Sequence, residues 1–108
     1  MHVTMNFASS AASADGPIRS LQAASDLLRA LASPVRLGIV RELAEGGKYV
    51  HELVDILGVS QPLVSQHLRV LRASRIVRAR RQAREIQYEL TDEHVAHIVL
   101  DAIRHAQE

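Results

Sequence analysis

The sequence predicts a mainly α-helical domain carrying one small β-hairpin. Three observations predict it. Apolar residues make up 47% of the 108, yet only three are aromatic, a mix that suits small-residue helix packing better than a β-sandwich. Apolar positions recur at helical spacing through most of the chain. The period then falls to two between Glu85 and Leu90, where Ile86, Tyr88 and Leu90 alternate with Glu85, Gln87 and Glu89.

The elements follow in order. Residues 1–16, "MHVTMNFASSAASADG", are small and polar without a period and read as a disordered tail ahead of one domain over 17–108. From Pro17, Ile18, Leu21, Ala24, Leu28 and Leu31 mark a first helix. "SPVRLGIVRELAEGG" gives a second, with Ser33 as N-cap, Pro34 at the first helical position and Gly46-Gly47 as the stop. "VHELVDILG" is a short third helix ended by Gly58. "VSQPLVSQHLRVLRAS" is the fourth, capped by Ser60. Its Val64, Leu68 and Leu71 form one stripe, and Pro62, Ser65, Gln66 and Arg69 form the opposite face. The hairpin is expected to turn near Gln82-Ala83. A closing helix, "TDEHVAHIVLDAIRHAQE", starts at Thr91 or Asp92.

Composition removes several function classes. Without cysteine there are no disulfides, thiolate metal sites or cysteine nucleophiles. No apolar run approaches the ~20 residues needed to span a bilayer, and no signal-peptide pattern opens the chain, so a cytoplasmic protein without membrane contact is expected. Net charge is only +1, but its distribution is polarised. No acid lies between Asp55 and Glu85, where Arg69, Arg72, Arg75, Arg78, Arg80, Arg81 and Arg84 all fall. Such a face suits a polyanion.

A short helix, a Gly-containing turn and a second helix with a polar outer face make a helix-turn-helix; the basic hairpin after it makes the winged version. Double-stranded operator DNA is the expected partner. Gln66 has the donor and acceptor pair that matches an adenine edge in the major groove, and Ser60, Gln61 and Ser65 can reach bases or phosphates. Arg69, Arg78, Arg80, Arg81 and Arg84 are read as phosphate or minor-groove contacts. His67 joins the DNA-facing candidates, although it flanks the apolar stripe and a packing or hydrogen-bonding role competes.

Over roughly Leu27 to Glu108 the chain resembles the ArsR/SmtB metal-responsive repressors. The likeness rests on "LRALASPVRLGIVREL", on "VHELVDILGVSQPLVSQHLRVLRASRIVRARR" and on the closing helix. It implies a homodimeric winged helix, joined through its N- and C-terminal helices, that represses transcription until a metal ion releases it from DNA. Two departures stand out. The hairpin turn carries Gln82-Ala83 where relatives usually have a Gly. Tyr49 stands where many members bear a metal-binding cysteine, so arsenic, cadmium or lead sensing through that thiolate is not expected.

The closing helix offers other ligands. Asp92 and His94 lie at its start, and His105 and Glu108 at its end. Eleven residues separate the histidines, about 1,100° at ~100° per residue, so they project within ~20° of each other. Their separation along the axis is ~16 Å, while Zn–N and Zn–O bonds are only ~2 Å. One ion cannot bridge both ends of one helix. Antiparallel pairing with a second copy brings Asp92 and His94 of one chain to His105 and Glu108 of the other, with the intervening Val, Ile, Leu and Ala as the seam. The spacing also resembles the closing-helix zinc site of the family's zinc-sensing branch. The bland readings are an N-cap for Asp92 and a dipole-favoured C-terminal His105. Two imidazoles with two carboxylates suit tetrahedral Zn(II) as a regulatory ligand. Co(II) or Ni(II) would want further donors, which His97, Asp101 or the Met1-His2 terminus could supply.

The expected function is therefore a zinc-released transcriptional repressor, not an enzyme, with no small-molecule substrate. Three alternatives stay open. One is a winged-helix regulator that senses Ni(II) or Co(II), or whose metal site is vestigial. A metalloenzyme and a winged helix that docks acidic proteins are the others.

Overall fold

A computed structural model describes residues 16–108. The polar tail read at 1–16, and with it the Met1-His2 donors, lies outside the described residues apart from Gly16. A 3₁₀ turn at Arg19–Leu21 leads into α1 (Gln22–Leu31), followed by α2 (Pro34–Leu43), β1 (Lys48–Tyr49), α3 (Val50–Leu57), α4 (Gln61–Ala73), β2 (Val77–Gln82), β3 (Glu85–Leu90) and α5 (Glu93–Gln107). The strands form one antiparallel sheet in the order β1-β3-β2.

Capping chemistry sets most boundaries where the sequence put them. Ser33 Oγ accepts from the Arg36 N–H at 3.3 Å with Pro34 following it, and Ser60 Oγ accepts from the Leu63 N–H at 3.3 Å. Gly58 ends α3 in the left-handed conformation, φ 68°, and its N–H reaches Val54 O at 2.9 Å. The core is apolar throughout: Ile39, Val40, Leu43, Leu53, Val64, Leu68, Leu71, Ile76 and Val77 are sealed between α2, α3, α4 and β2. Val64, Leu68 and Leu71 are the stripe expected of the fourth helix, so its polar face is turned outward.

Two expectations are corrected, and of the two starts expected for the closing helix one is selected. The hairpin turns at Ala83-Arg84, one residue later than expected, because Gln82 pairs with Glu85 across the ladder. Ala83 has φ 58°, so alanine stands in the positive-φ region that glycine takes without strain. The closing helix is capped by Asp92; Thr91 instead donates its hydroxyl to Arg75 O at 2.7 Å. The apolar residues of that helix do not all face a seam. Val95, Ala96 and Val99 are buried within the chain, leaving Ile98 and Leu100 partly exposed.

Alpha4 ends in a Schellman motif: the Ile76 N–H bonds Leu71 O at 2.9 Å and the Arg75 N–H bonds Arg72 O at 3.0 Å. Arg75, φ 61°, takes the place usually given to glycine. Strand β1 was not anticipated; it pairs Lys48 with Tyr88 and Tyr49 with Gln87. Among the described residues no helix is long and apolar enough to cross a membrane.

Candidate nucleic-acid interface and metal centre

The reading head is α3, the Gly58–Ser60 turn and α4. Burial of the Val64–Leu68–Leu71 stripe leaves Gln61, Pro62, Gln66 and Arg69 exposed and Ser65 half-exposed. Gln61 Nε2 donates to Ser65 Oγ at 2.8 Å, so these polar side chains are tied one turn apart. Gln66 has no side-chain bond among the described residues, so both amide atoms, one donor and one acceptor, are unengaged there. Exposed Arg72 was counted in the basic stretch but not among the expected DNA contacts. It lies seven residues beyond Ser65, about 700°, within ~20° of the same face; the i+3 spacing from Arg69 was the available signal.

His67 is half-buried rather than presented to solvent. Its Nδ1 accepts from Arg36 Nη1 at 3.0 Å, and Arg36 Nε donates to Ala30 O at 2.6 Å. Since guanidinium nitrogen can only donate, Nδ1 must be the unprotonated ring nitrogen. Burial, and secondarily the Arg36 charge, hold His67 below the ordinary histidine pKa, keeping it neutral. Among the residues expected to face DNA, its side chain is the one tied to a different helix among the described residues.

On the wing, Arg78 pairs across the ladder with Glu89 and donates from Nε to Glu89 Oε2; Arg80 Nη1 lies 3.5 Å from the same oxygen. The Arg78 hydrogen bond holds the Glu89 carboxyl below its ordinary range, against a smaller opposing effect of burial and with help from the charges of both arginines. Arg78 and Arg80 are thus aligned by an acid on the wing stem. Arg81 and Arg84, nearer the tip, have no ion-pair partner among the described residues. His51 Nε2 lies 3.3 Å from Glu85 Oε1, linking the start of α3 to the wing, and the Tyr49 ring stacks on His51 with centroids 5.7 Å apart.

Alpha5 divides its faces cleanly. Val95, Ala96 and Val99 pack inward, chiefly towards α2, while His94, Ile98, Asp101, Ala102 and His105 lie outside. Asp92 Oδ1 accepts from the His94 N–H at 2.7 Å and lies 3.3 Å from His94 Nδ1; His105 Nδ1 lies 4.0 Å from Glu108 Oε1. Each end of the helix therefore presents one imidazole beside one carboxylate. The histidine side chains are 91% and 90% exposed, so neither is committed to the core. Among the described residues, no three histidines or acids gather within one chain as a metal-binding group. The donor chemistry fits a borderline cation, as two halves rather than one whole. Asp101 is engaged by Arg104 Nη2 at 2.7 Å, and His97 lines a groove with Asp92, Arg78 and Arg80. Beside the exposed stripe, an apolar hollow of about 140 Å³ is lined by Leu28, Leu31, Ala32, Leu37, Ile98 and Ala102.

Residues 33–79 match the family model described as bacterial regulatory protein, arsR family. The HTH-type transcriptional repressor SmtB of Mycobacterium tuberculosis (strain ATCC 25618 / H37Rv) is 58% identical over 92 residues, covering 85% of this chain and 68% of that protein. Among solved structures, HlyU from Vibrio cholerae N16961 superposes with a TM-score of 0.74 at 31% identity, over 82% of this chain and 97% of its own. A homodimeric winged helix-turn-helix DNA-binding domain, Mb0332 from Mycobacterium bovis, gives 0.73 at 27% identity, over 84% of each chain. The fold, the matched reading head and the extent of identity to a repressor agree: this chain is a winged helix-turn-helix member of the ArsR/SmtB family of transcriptional repressors, and not an enzyme.

Proposed function

We propose that the chain binds operator DNA as a homodimer and leaves it when Zn(II) is taken up at two sites between the subunits. The observation that carries this reading is the split of α5: an imidazole–carboxylate pair at each end of one exposed face, separated by ~16 Å of helix. Neither pair is a coordination shell. Asp92 and His94 of one copy with His105 and Glu108 of another make a four-donor set, and two antiparallel helices supply it twice. The apolar hollow beside Ile98 and Ala102, bordered by Leu28 of α1, supports a seam formed by the first and last helices. Zinc, when bound, supplies a redox-inert cation that accepts both nitrogen and oxygen donors.

The protein's own groups do the rest. Gln66 reads a base edge. Ser60, Gln61 and Ser65 set the helix on bases or phosphates, and Arg69 with the wing arginines Arg78, Arg80, Arg81 and Arg84 holds the backbone. Twofold pairing sets the two reading heads about one DNA turn apart, ~34 Å. Drawing the α5 ends together favours a spacing that no longer fits. By linkage, DNA weakens zinc binding by the same factor that zinc weakens DNA binding.

The test is a titration of the dimer on a duplex selected from a random pool by the metal-free protein, repeated with zinc, cobalt and nickel. Zinc is expected to lower the affinity most. Equal affinity with and without every metal overturns the switch; a larger cobalt or nickel effect reassigns the ligand.

A further inference from the structure

We propose that the Arg36–His67 contact is a clasp that sets the angle of the reading helix against the rest of the repressor, so that both residues determine operator specificity without touching DNA. The inference rests on the DNA-reading function argued above and adds a positioning device to it. One arginine, Arg36, spans three helices. Its backbone N–H closes the Ser33 cap at the start of α2, its Nε holds the Ala30 carbonyl in the last turn of α1, and its Nη1 holds His67 on α4. The partners are 6 and 31 residues away, so the arrangement is tertiary and not a by-product of helix geometry. Ala30 is itself buried, so the clasp ends on an anchored carbonyl.

His67 is next to Gln66 in the chain, and its ring points inward where the Gln66 amide points out. A rotation of α4 about its axis is therefore resisted on the inner side by the clasp and translated on the outer side into a displacement of the base-reading amide. The apolar stripe resists that rotation less sharply, because dispersion contacts are individually weak and non-directional. A donor at 3.0 Å with an oriented acceptor is directional. His67 must be neutral to accept, and its burial keeps it so. A ring committed in this way has Nδ1 closed to a base, in contrast to the DNA-contact role first expected of it.

The test uses the full chain and two duplexes: one selected from a random pool by the wild type, and one of scrambled sequence. His67→Leu removes the acceptor, Arg36→Met removes the donor, and His67→Gln restores an acceptor oxygen. His67→Leu and Arg36→Met are each expected to lower the selected-to-scrambled affinity ratio about tenfold, the scale of one hydrogen bond to a charged group. Affinity for the scrambled duplex and its salt dependence stay unchanged, since no phosphate contact is lost. The double variant should match either single variant, as members of one contact do, and His67→Gln should keep the ratio within about twofold, since an acceptor remains for Arg36. If Arg36→Met keeps the wild-type ratio while His67→Leu loses it, His67 contacts DNA directly and the clasp is overturned. Multiplying effects in the double variant overturn it too. Should His67→Leu fail to fold, Arg36→Met against His67→Gln decides alone: equal ratios refute the clasp. A wild type with no preference between the duplexes refutes the DNA-reading function itself, and the clasp with it.

Discussion

Mixing two crippled chains distinguishes a site shared between subunits from any site within one chain. In a His94→Ala homodimer each proposed site loses one imidazole, and a His105→Ala homodimer suffers the same loss from the other side. A mixed dimer gathers both lesions into one site and leaves the second whole. The geometry behind this is the ~16 Å rise between the two histidines, against metal–nitrogen bonds of ~2 Å. Both imidazoles are exposed on the face turned away from the core, so neither substitution opens a cavity. Outer-shell changes alone cost about 10–100-fold in metal affinity, and a missing ligand should cost more. Random exchange makes about half of the dimers mixed, so a 1:1 sample should hold roughly one tight zinc per four chains, against roughly one per chain in the wild type. Each parent alone should hold none at that affinity. Competition with a chromophoric chelator reads the number directly, and purified mixed dimers carrying two different tags should show one zinc per dimer. A mixed sample that binds no more zinc than its parents would refute the antiparallel, intersubunit arrangement.

Three further outcomes follow from other parts of the molecule. Gln66→Ala should cost about 1–3 kcal/mol on the selected duplex and little on a scrambled one, whereas Arg81→Ala should weaken both alike and flatten the salt dependence; the reverse pattern in a fluorescence-anisotropy titration would exchange their roles. Ala83→Gly should raise the unfolding free energy obtained from urea denaturation by about 0.5–1 kcal/mol, because ~1–2 kcal/mol of left-handed strain is relieved against ~0.5–1 kcal/mol of added chain entropy; a lower value would show that the turn carries no strain. His67, held below its ordinary 6.5 by burial and by Arg36, lets the unfolded chain bind a proton that the folded chain refuses. Stability from this source is complete above that ordinary value and is lost as the pH falls towards the depressed one, so the loss of unfolding stability on acidification below the ordinary 6.5 should shrink in His67→Gln; identical slopes would remove His67 as its origin.

How much of this was legible in the sequence depends on the range of the interaction. Ser33, Ser60 and Gly58 act within four residues, and each was read correctly because local hydrogen bonding and steric freedom decide it. The buried face of α4 was legible because Val64, Leu68 and Leu71 have one periodicity and one destination. Strand β1 was not, since two residues have no period and exist as a strand only through Tyr88 and Gln87 nearly forty positions on. The Arg36 partner of His67 was hidden for the same reason. For α1, spacing identified an apolar stripe, but Ile18, Leu21 and Leu28 remain exposed: periodicity says which residues share a face and never what covers it. The imidazole–carboxylate pairs at the two ends of α5 were legible as a pattern because eleven residues nearly close three helical turns.

The inward half of α5 is what makes that pattern useful to a repressor. Had Val95 and Val99 served a dimer seam, as the sequence suggested, a displacement of the helix would end at the interface. They lie instead in the core against α2, whose Ile39 and Val40 are fully buried and touch the same cluster as Val64, Leu68 and Leu71 of α4. A close-packed interior has no slack to absorb a shift of one wall. On the proposed reading, movement imposed at His94 or His105 would pass through α2 to the back of α4, where Arg36 meets His67 at 3.0 Å. On that reading, ligands on the outer face and packing on the inner face would be two halves of one device. The first could be loaded without unfolding the second, and the second would carry the effect of loading to Gln66.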